Sequence, residues 1–427
     1  MTSPDMDVAV IGGGPAGISA CLELAGSSDL KIALFENDAE LGGMPRSCHY
    51  FFGMRDQRRL FTGPQYAGRL SAFVRKSPVS INTEAHVLRI IAGSQGDPHR
   101  IEVLMPKGPQ SLTARFIVLA MGCFEAPSAA RQIASQRPDG IYTTGALQQL
   151  VNLYHQKPGT KAVVIGSEHI ALSSLITLKR AGLSIAAMIE EDSALKTYQL
   201  PAQVMRRYYG CEIYTGVSVH AILGEHRVEG IELRRDGNEQ TFRIDCDTVI
   251  LTGKFRPDSQ LIDGTPIARD PCTQGPLADM NFMTSIPNIF AAGNILRGAH
   301  MHDLCALEGR AAARGILKRL QVSEPAPAEG VSVRAEAPIR YIVPQKISPV
   351  AAKPHFFSRL YPGHSLQVEN TVNHPVLEAR SGNELLWKQT FKRLIAGNRV
   401  LLPVHKFDWS RADPQKDIVV RLQNAKI

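Results

Sequence analysis

A strand that runs straight into a helix through three consecutive glycines constrains this chain more than any other feature. In "DVAVIGGGPAGISACLELAG" (Asp7 to Gly26) an apolar, β-type run meets Gly12-Gly13-Gly14-Pro15-Ala16-Gly17, and a helical pattern follows. Each glycine of this GxGxxG has its own duty. Gly12 makes the tight turn, Gly14 lets bare backbone approach a phosphate, and Gly17 lets helix and strand pack closely. A helix starting near Pro15 aims its free N–H groups and positive dipole end at a pyrophosphate. The next strand, "KIALFEN" (Lys31 to Asn37), carries Glu36 at its end, where a carboxylate can accept from both ribose hydroxyls. Alone GxGxxG is a weak signal. Between two strands, with an acid 19 positions past Gly17, it points to dinucleotide binding.

The plan recurs at "KAVVIGSEHIALSSLITLKRAG" (Lys161 to Gly182), with one change. Gly166 makes the turn and Ala171 keeps the third small position, but Glu168 stands where the second glycine would face phosphate. A pyrophosphate ~4–5 Å from that carboxylate would meet repulsion of roughly 3–4 kcal/mol at an effective dielectric near 20. A carboxylate at a helix N-terminus is favourable by itself. Glu168 is therefore expected to occupy the anion seat in place of phosphate. Glu190 and Glu191 end the following strand, "LSIAAMIEED"; they would suit an NAD ribose, or equally form a solvated strand end. The second unit is expected not to take NAD(P)H as a hydride source.

Around these units the pattern predicts α/β architecture: two Rossmann-like dinucleotide-binding domains, the second inserted in the first, plus a small C-terminal β-rich domain. The expected boundaries are 1–125 with 265–322 for the first domain and 126–264 for the second. Residues 323–330 ("VSEPAPAEG" begins at Val322) have linker composition, and 331–427 form the β-rich domain. There "SGN", between "VLEAR" and "ELLWKQ", reads as a hairpin turn. Of the 427 residues 44% are hydrophobic and 21% charged, ordinary globular composition. No apolar run reaches the roughly 18 residues of a membrane span. Met1 to Asp7 is polar and leads directly into a strand, so neither a signal peptide nor a transmembrane segment is expected, and a cytoplasmic setting follows. The formal charge of +8 is spread along the chain, with a modest concentration at Arg55, Arg58 and Arg59. No nucleic-acid motif accompanies it; a solvated face accounts for it, as would an acidic partner or an anionic substrate. The seven cysteines stand singly, without the spacing of a zinc ribbon, iron–sulfur set or redox disulfide. No metal site is expected.

"VAVIGGGPAGISAC", Glu36 and "ELGGMPR" resemble the FAD domain of two-dinucleotide-binding flavoproteins, the pyridine nucleotide–disulfide oxidoreductase-like family. "FIVLAMGCFEAP" resembles the family's ATG strand, with Met121 for Thr; "TVILTGKFRPDSQLI" resembles its second such strand, and "TSIPNIFAAGN" its flavin motif. The resemblance implies FAD, held by Gly12, Gly14, Pro15, Ala16, Gly17, Glu36 and Asn37 on the ADP half. It further implies Gly42, Gly43 and Arg46 toward the pyrophosphate, Val87 at adenine, Ala120 and Gly122 beside the cofactor, and Gly293 with Asn294 at the ribityl chain. His302 and Asp303 would start the helix that faces flavin N1 and O2. Asn294 departs from the family's usual Asp. The positions of the redox cysteines hold Pro45 and Tyr50, which argues against a disulfide reductase of that kind.

"GGMPRSCHYFFGMRDQRRLFTGPQYAGRL" and "GNILRGAHMHDLCALEGRAAA" more narrowly resemble the FAD subunits of heteromeric opine, proline or hydroxyproline dehydrogenases and of cyanide-forming glycine dehydrogenase. That resemblance implies a small-molecule substrate and a partner subunit, a second flavoprotein and/or an iron–sulfur protein. The cysteine-rich C-terminal segment of such subunits is missing, since no cysteine follows Cys305. Cys48, His49 and His302 are candidates for chemistry at the flavin, or for a buried thiol and two histidines that shape the pocket. Arg46, Arg55 and Arg58 are candidates for holding a carboxylate, or simply surface arginines. No catalytic residue is assigned. The expected function is an FAD-dependent oxidoreductase, the FAD subunit of a dehydrogenase complex for a small amine or imino acid. An NAD(P)H-dependent flavin reductase and a non-catalytic nucleotide-binding scaffold stand as alternatives.

Overall fold

The computed structural model describes residues 3–94, 96–197, 202–237, 240–321, 330–347 and 363–423, with backbone alone at 202–205. Apolar residues at 6–11 and 116–119 are almost all fully buried, the mark of parallel strands covered on both faces. They lie at the centre of a seven-stranded sheet in the order 80–82, 32–35, 6–11, 108–119, 99–105 and 86–91. The seventh strand, Ile289–Ala291, pairs in parallel with 117–119. Helix α1 (Pro15–Ala25) covers this sheet, and α2 (Gly63–Arg75) follows through a capping box at Thr62 and Gln65.

The second unit is a five-stranded parallel sheet in the order 141–143, 248–251, 161–165, 184–190 and 212–215. Helices α3 (Thr144–Asn152), α4 (His169–Arg180) and α5 (Ala202–Tyr209) belong to it, and a four-stranded sheet, mostly antiparallel, stands beside it. Two crossing segments, Cys123–Glu125 and Phe255–Pro257, pair antiparallel where the chain leaves the first unit and returns. It ends in α6 (His302–Leu320), which packs on α1.

The C-terminal region is β-rich, with the "SGN" hairpin joining Val376–Ser381 to Glu384–Thr390. It has its own core around Leu366, Leu377 and Val420. Tyr341 and Val343, in contrast, belong to the core of the first unit, and Gln345 exchanges two hydrogen bonds with the backbone of Ala278. The linker 323–330 lies outside the described residues except for Gly330. Several elements carried no clear sequence pattern: the ribbon Phe51–Phe52 with Phe61–Thr62, the strand Glu212–Thr215, and α5.

The α1–α6 contact is close enough to be specific. A Cβ placed on Gly309 would sit 1.9 Å from the carbonyl oxygen of Ala16. Gly309→Ala should therefore destabilise the protein by roughly 1–3 kcal/mol, the usual cost of overpacking. Thermal or urea unfolding checks it, with an unchanged midpoint as the contrary result.

Candidate functional site

The first glycine turn shows an open cradle. Gly12 has φ +106°, and a Cβ there would lie 2.4 Å from the Ala120 carbonyl oxygen; a Cβ on Gly17 would lie 1.9 Å from the Gly12 carbonyl oxygen. A Cβ on Gly14 would meet nothing within 4 Å. The turn is tight beneath and vacant above, where a pyrophosphate would lie against the N-terminus of α1, with Pro15 and Ala16 in its first turn. Glu36 is buried at 7% exposure; it accepts the Gly13 N–H at 2.6 Å and the Asp38 N–H at 2.8 Å. Burial raises its carboxyl above the usual range, and these N–H bonds counter the shift. Asn37 is exposed beside it.

Gly42 donates its N–H to the Gly13 carbonyl, which brings the Gly42-Gly43 turn over the cradle. Arg46 does not point freely into this space: its guanidinium pairs with Asp38 at 2.7 Å and Glu40 at 3.2 Å. Val87 lies half-buried on the strand His86–Ile91. Ala120 donates to the Ile11 carbonyl at 2.8 Å, and Gly122 faces open space. Gly293 donates to Glu308 at 3.0 Å, and Glu308 also pairs with Arg297, both side chains fully inside. Asn294 uses its Oδ1 internally, accepting the His300 N–H at 2.9 Å and the Cys305 thiol at 3.1 Å.

His302 is the first residue of α6, its ring 4.5 Å from that of Phe52; burial pushes it down to about 4, so it is uncharged at neutral pH. Asp303 is buried and accepts both the backbone N–H and the guanidinium of Arg55 at 3.3 Å. Helix geometry leaves the first N–H groups of α6 without partners inside the helix. The Arg58 side chain is exposed. Cys48 and His49 turn toward the second unit instead. Cys48 is buried against Gln148 and Ser173, and burial raises its thiol; His49 is lowered by burial and by Arg180, and its Nδ1 meets no partner among the described residues.

The second turn differs from the sequence expectation in one respect. Glu168 is the N-cap of α4, yet its carboxylate makes no capping bond. It accepts the Thr252 hydroxyl at 2.9 Å instead. A Cβ on Gly253 would lie 2.6 Å from its Oε1, and one on Gly166 would lie 2.7 Å from its Oε2. The carboxylate therefore lies between the turn and the residues just past the strand Thr248–Leu251, and the Thr252 hydroxyl that bonds it also reaches the Ile165 carbonyl at 2.9 Å. Glu190 is buried and already engaged: it accepts from Ser167 and from the Asp192 N–H, and pairs with Lys196 at 2.9 Å. Glu191 is exposed.

Sequence reasoning passed over Glu125. It lies on the outgoing crossing segment, accepts the Gly145 N–H at 2.6 Å, and keeps its other oxygen buried with no partner among the described residues. Burial raises its carboxyl to about 7. Arg131, which donates to the carbonyls of Thr252 and Gly253, exerts an opposing field. Glu125 lies near the end of the quoted "FIVLAMGCFEAP" stretch and Arg131 follows it, but nothing in the residue pattern singles either of them out.

An open glycine turn, a buried carboxylate at the end of the next strand and a second strand–turn–helix unit fit a flavoprotein oxidoreductase of the two-dinucleotide-fold class. Residues 6–315 match the family described as pyridine nucleotide-disulphide oxidoreductase, and the chain belongs to that family, whose members are FAD-dependent oxidoreductases. A dihydrolipoyl dehydrogenase of Manduca sexta is 24% identical over 74% of this chain and 68% of its own length. Other curated relatives are matched over 33% and 60% of their length. The thioredoxin reductase of T. acidophilum shares the fold with a TM-score of 0.64 at 17% identity, over 75% of this chain and all of that one. L-proline dehydrogenase from P. horikoshii does so with 0.57 at 21%, over 75% of this chain and 56% of that one. Among the described residues no helix is long and apolar enough to cross a membrane.

Glu125 carries a pH signature. Its carboxyl is raised from 4.5 to about 7 on folding, so its contribution to stability is complete below 4.5 and is lost as pH rises through 7. Glu125→Gln should flatten the fall of the melting temperature across that window. An identical profile in the variant would assign the slope to other groups.

Proposed function

We propose that this chain is the FAD-binding subunit of a dehydrogenase complex that oxidises a small amine, imino acid or similar metabolite. Its electrons pass to a partner chain, a second flavoprotein and/or an iron–sulfur protein. The observation that supports the reading is a carboxylate, Glu168, at the second glycine turn, where a pyrophosphate would meet it. Glu168 lies between Gly166 and Gly253, and Lys196 closes on Glu190, the carboxylate that would face a ribose. Pro45 and Tyr50 at the redox-cysteine positions support it further, as does the fold shared with L-proline dehydrogenase.

The open cradle of the first turn fits FAD, which when bound supplies a two-electron acceptor for a C–N bond. This chain's residues supply the surroundings. Backbone at Gly12 to Gly17 receives the pyrophosphate and Glu36 the ribose. The N-terminus of α6, at His302 and Asp303, favours negative charge on the reduced ring. His302, uncharged at neutral pH, is in the form that can accept the proton released with a hydride. Exclusion of nicotinamide at the second site is electrostatic and partial. The repulsion of roughly 3–4 kcal/mol is an upper value, on the order of a few hundredfold in affinity. The fields of Arg131 and Lys196 at Glu168 offset part of it.

Anaerobic mixing of the oxidised holoprotein with NADH, NADPH and candidate amines, followed by flavin absorbance, tests the reading. Bleaching by an amine, alone or with a partner chain, is expected. Rapid bleaching by a nicotinamide cofactor would favour a flavin reductase, and a flavin that responds only to dithionite would favour a scaffold. Glu168→Gly should tighten nicotinamide binding by at least about tenfold; unchanged affinity would remove the electrostatic argument.

A further inference from the structure

The ribbon Phe51–Phe52 with Phe61–Thr62 has two unlike faces. Inward, Phe52 packs against His302 and Tyr66 at the N-terminus of α6. Outward, Phe51 is 52% exposed, Leu60 55% and Met54 51%, three large apolar side chains within ten positions. The loop between the strands is pinned. The Gly53 carbonyl accepts the Gln57 N–H at 2.9 Å, Tyr66 donates to Asp56 at 2.8 Å, and Arg69 donates to Gln57 at 2.8 Å. Exposed apolar groups on so fixed a platform mark an interaction surface rather than a frayed loop.

The charge around the platform is of one sign. From residue 56 to 76 five cationic side chains, Arg58, Arg59, Arg69, Arg75 and Lys76, stand against a single acid, Asp56. All five are exposed, while Asp56 is held by Tyr66. Arg69 stacks over Phe61 at 5.5 Å and over Phe73 at 4.8 Å, and Arg59 over Phe61 at 5.5 Å, so cations rim the apolar centre. The positive excess is thus more local than the sequence reading allowed. An apolar centre inside a charged rim is the anatomy of a protein interface, and the rim selects a partner of opposite sign.

We propose that the ribbon and the α2 face beside it are the docking surface for an acidic electron-carrying protein. The proposal rests on the chain's reading as a flavoprotein subunit and names where its electron partner sits. The same ribbon delivers Phe52 to His302, and its loop delivers Arg55 to Asp303. A carrier seated outside is therefore separated from the proposed flavin edge by this thin layer. With a one-electron carrier, each reduced cofactor serves two carrier molecules in turn, and the remaining proton goes to water.

The test uses FAD-loaded full-length protein and an oxidised plant-type [2Fe–2S] ferredoxin as the acidic probe, with binding measured calorimetrically. Binding should be detectable at low salt and should weaken at least about tenfold at ionic strengths where the Debye length is a few Å. R58E with R59E should weaken it by a similar factor, and F51S with L60S should weaken it without changing its salt dependence. Flavin content and melting temperature should hold in both variants. No ferredoxin binding, equal binding of the basic protein cytochrome c, or indifference to the charge reversal would overturn the proposal. So would preferential sedimentation with phosphatidylglycerol vesicles, which would make the patch a membrane surface. Protein that takes up no FAD would sink the flavoprotein reading itself; FAD-loaded protein that ignores ferredoxin would sink only the docking surface.

Discussion

A single buried carboxylate ties the 293–297 turn to the helix that packs on the first glycine turn. Glu308 lies on α6, which packs on α1, and it holds the Gly293 N–H and the Arg297 guanidinium together. Burying both charges carries a desolvation penalty that attraction in the interior only partly repays, so such a pair is weak evidence for stability. Its geometry gives it another use. It fixes the 293–297 turn against α6, and the close contact of Gly309 with Ala16 fixes α6 against the glycine turn. The first glycine turn and the 293–297 turn are thus both tied to α6, although the whole of the second unit intervenes in sequence.

The two dinucleotide units use one plan and end differently. In the first, Glu36 accepts the N–H of Gly13 and the N–H two residues after itself. In the second, Glu190 accepts from Ser167 and again from the N–H two residues on. The difference lies in what else reaches each carboxylate. Glu36 keeps its salt-bridging neighbour, Arg46, on Asp38 and Glu40, whereas Lys196 bonds Glu190 directly. A Cβ on Gly14 would meet nothing within 4 Å, whereas the Glu168 carboxylate lies against Thr252 and Gly253.

The glycine turns, the buried parallel strands, α6 and the "SGN" hairpin were legible because each has a local cause: a required backbone geometry, an unbroken apolar run or a helical period. The direction of the Glu168 side chain was not, because it depends on Thr252, far along the chain. Dipole reasoning chose the helix N–H groups, and a hydroxyl across the cleft won. Glu125 was invisible for a similar reason. Its shift comes from burial at the junction of two units, and the hydrogen bond from Gly145 only partly offsets it. The apolar exposure of Phe51 and Leu60 likewise needed the ribbon pairing, since the sequence "YFFGMRDQRRLF" reads as a loop with scattered aromatics.

The cysteines bear on the proposed route of the electrons. Disulfide exchange needs a thiolate, and thiolates form where positive charge or exposure lowers the thiol's pKa. All seven cysteines here are unpaired, and burial pushes every one of them the other way. Cys123 and Cys305, nearest Asn294, are among the most strongly raised. None is poised to replace a disulfide at Pro45 and Tyr50. A relay through sulfur is therefore chemically disfavoured, and the proposed exit to a docked carrier runs past the side chains around α6's first turn. Those are Phe52, Arg55 and His302, and two of the three belong to the ribbon and loop whose outer side is apolar and rimmed with arginine.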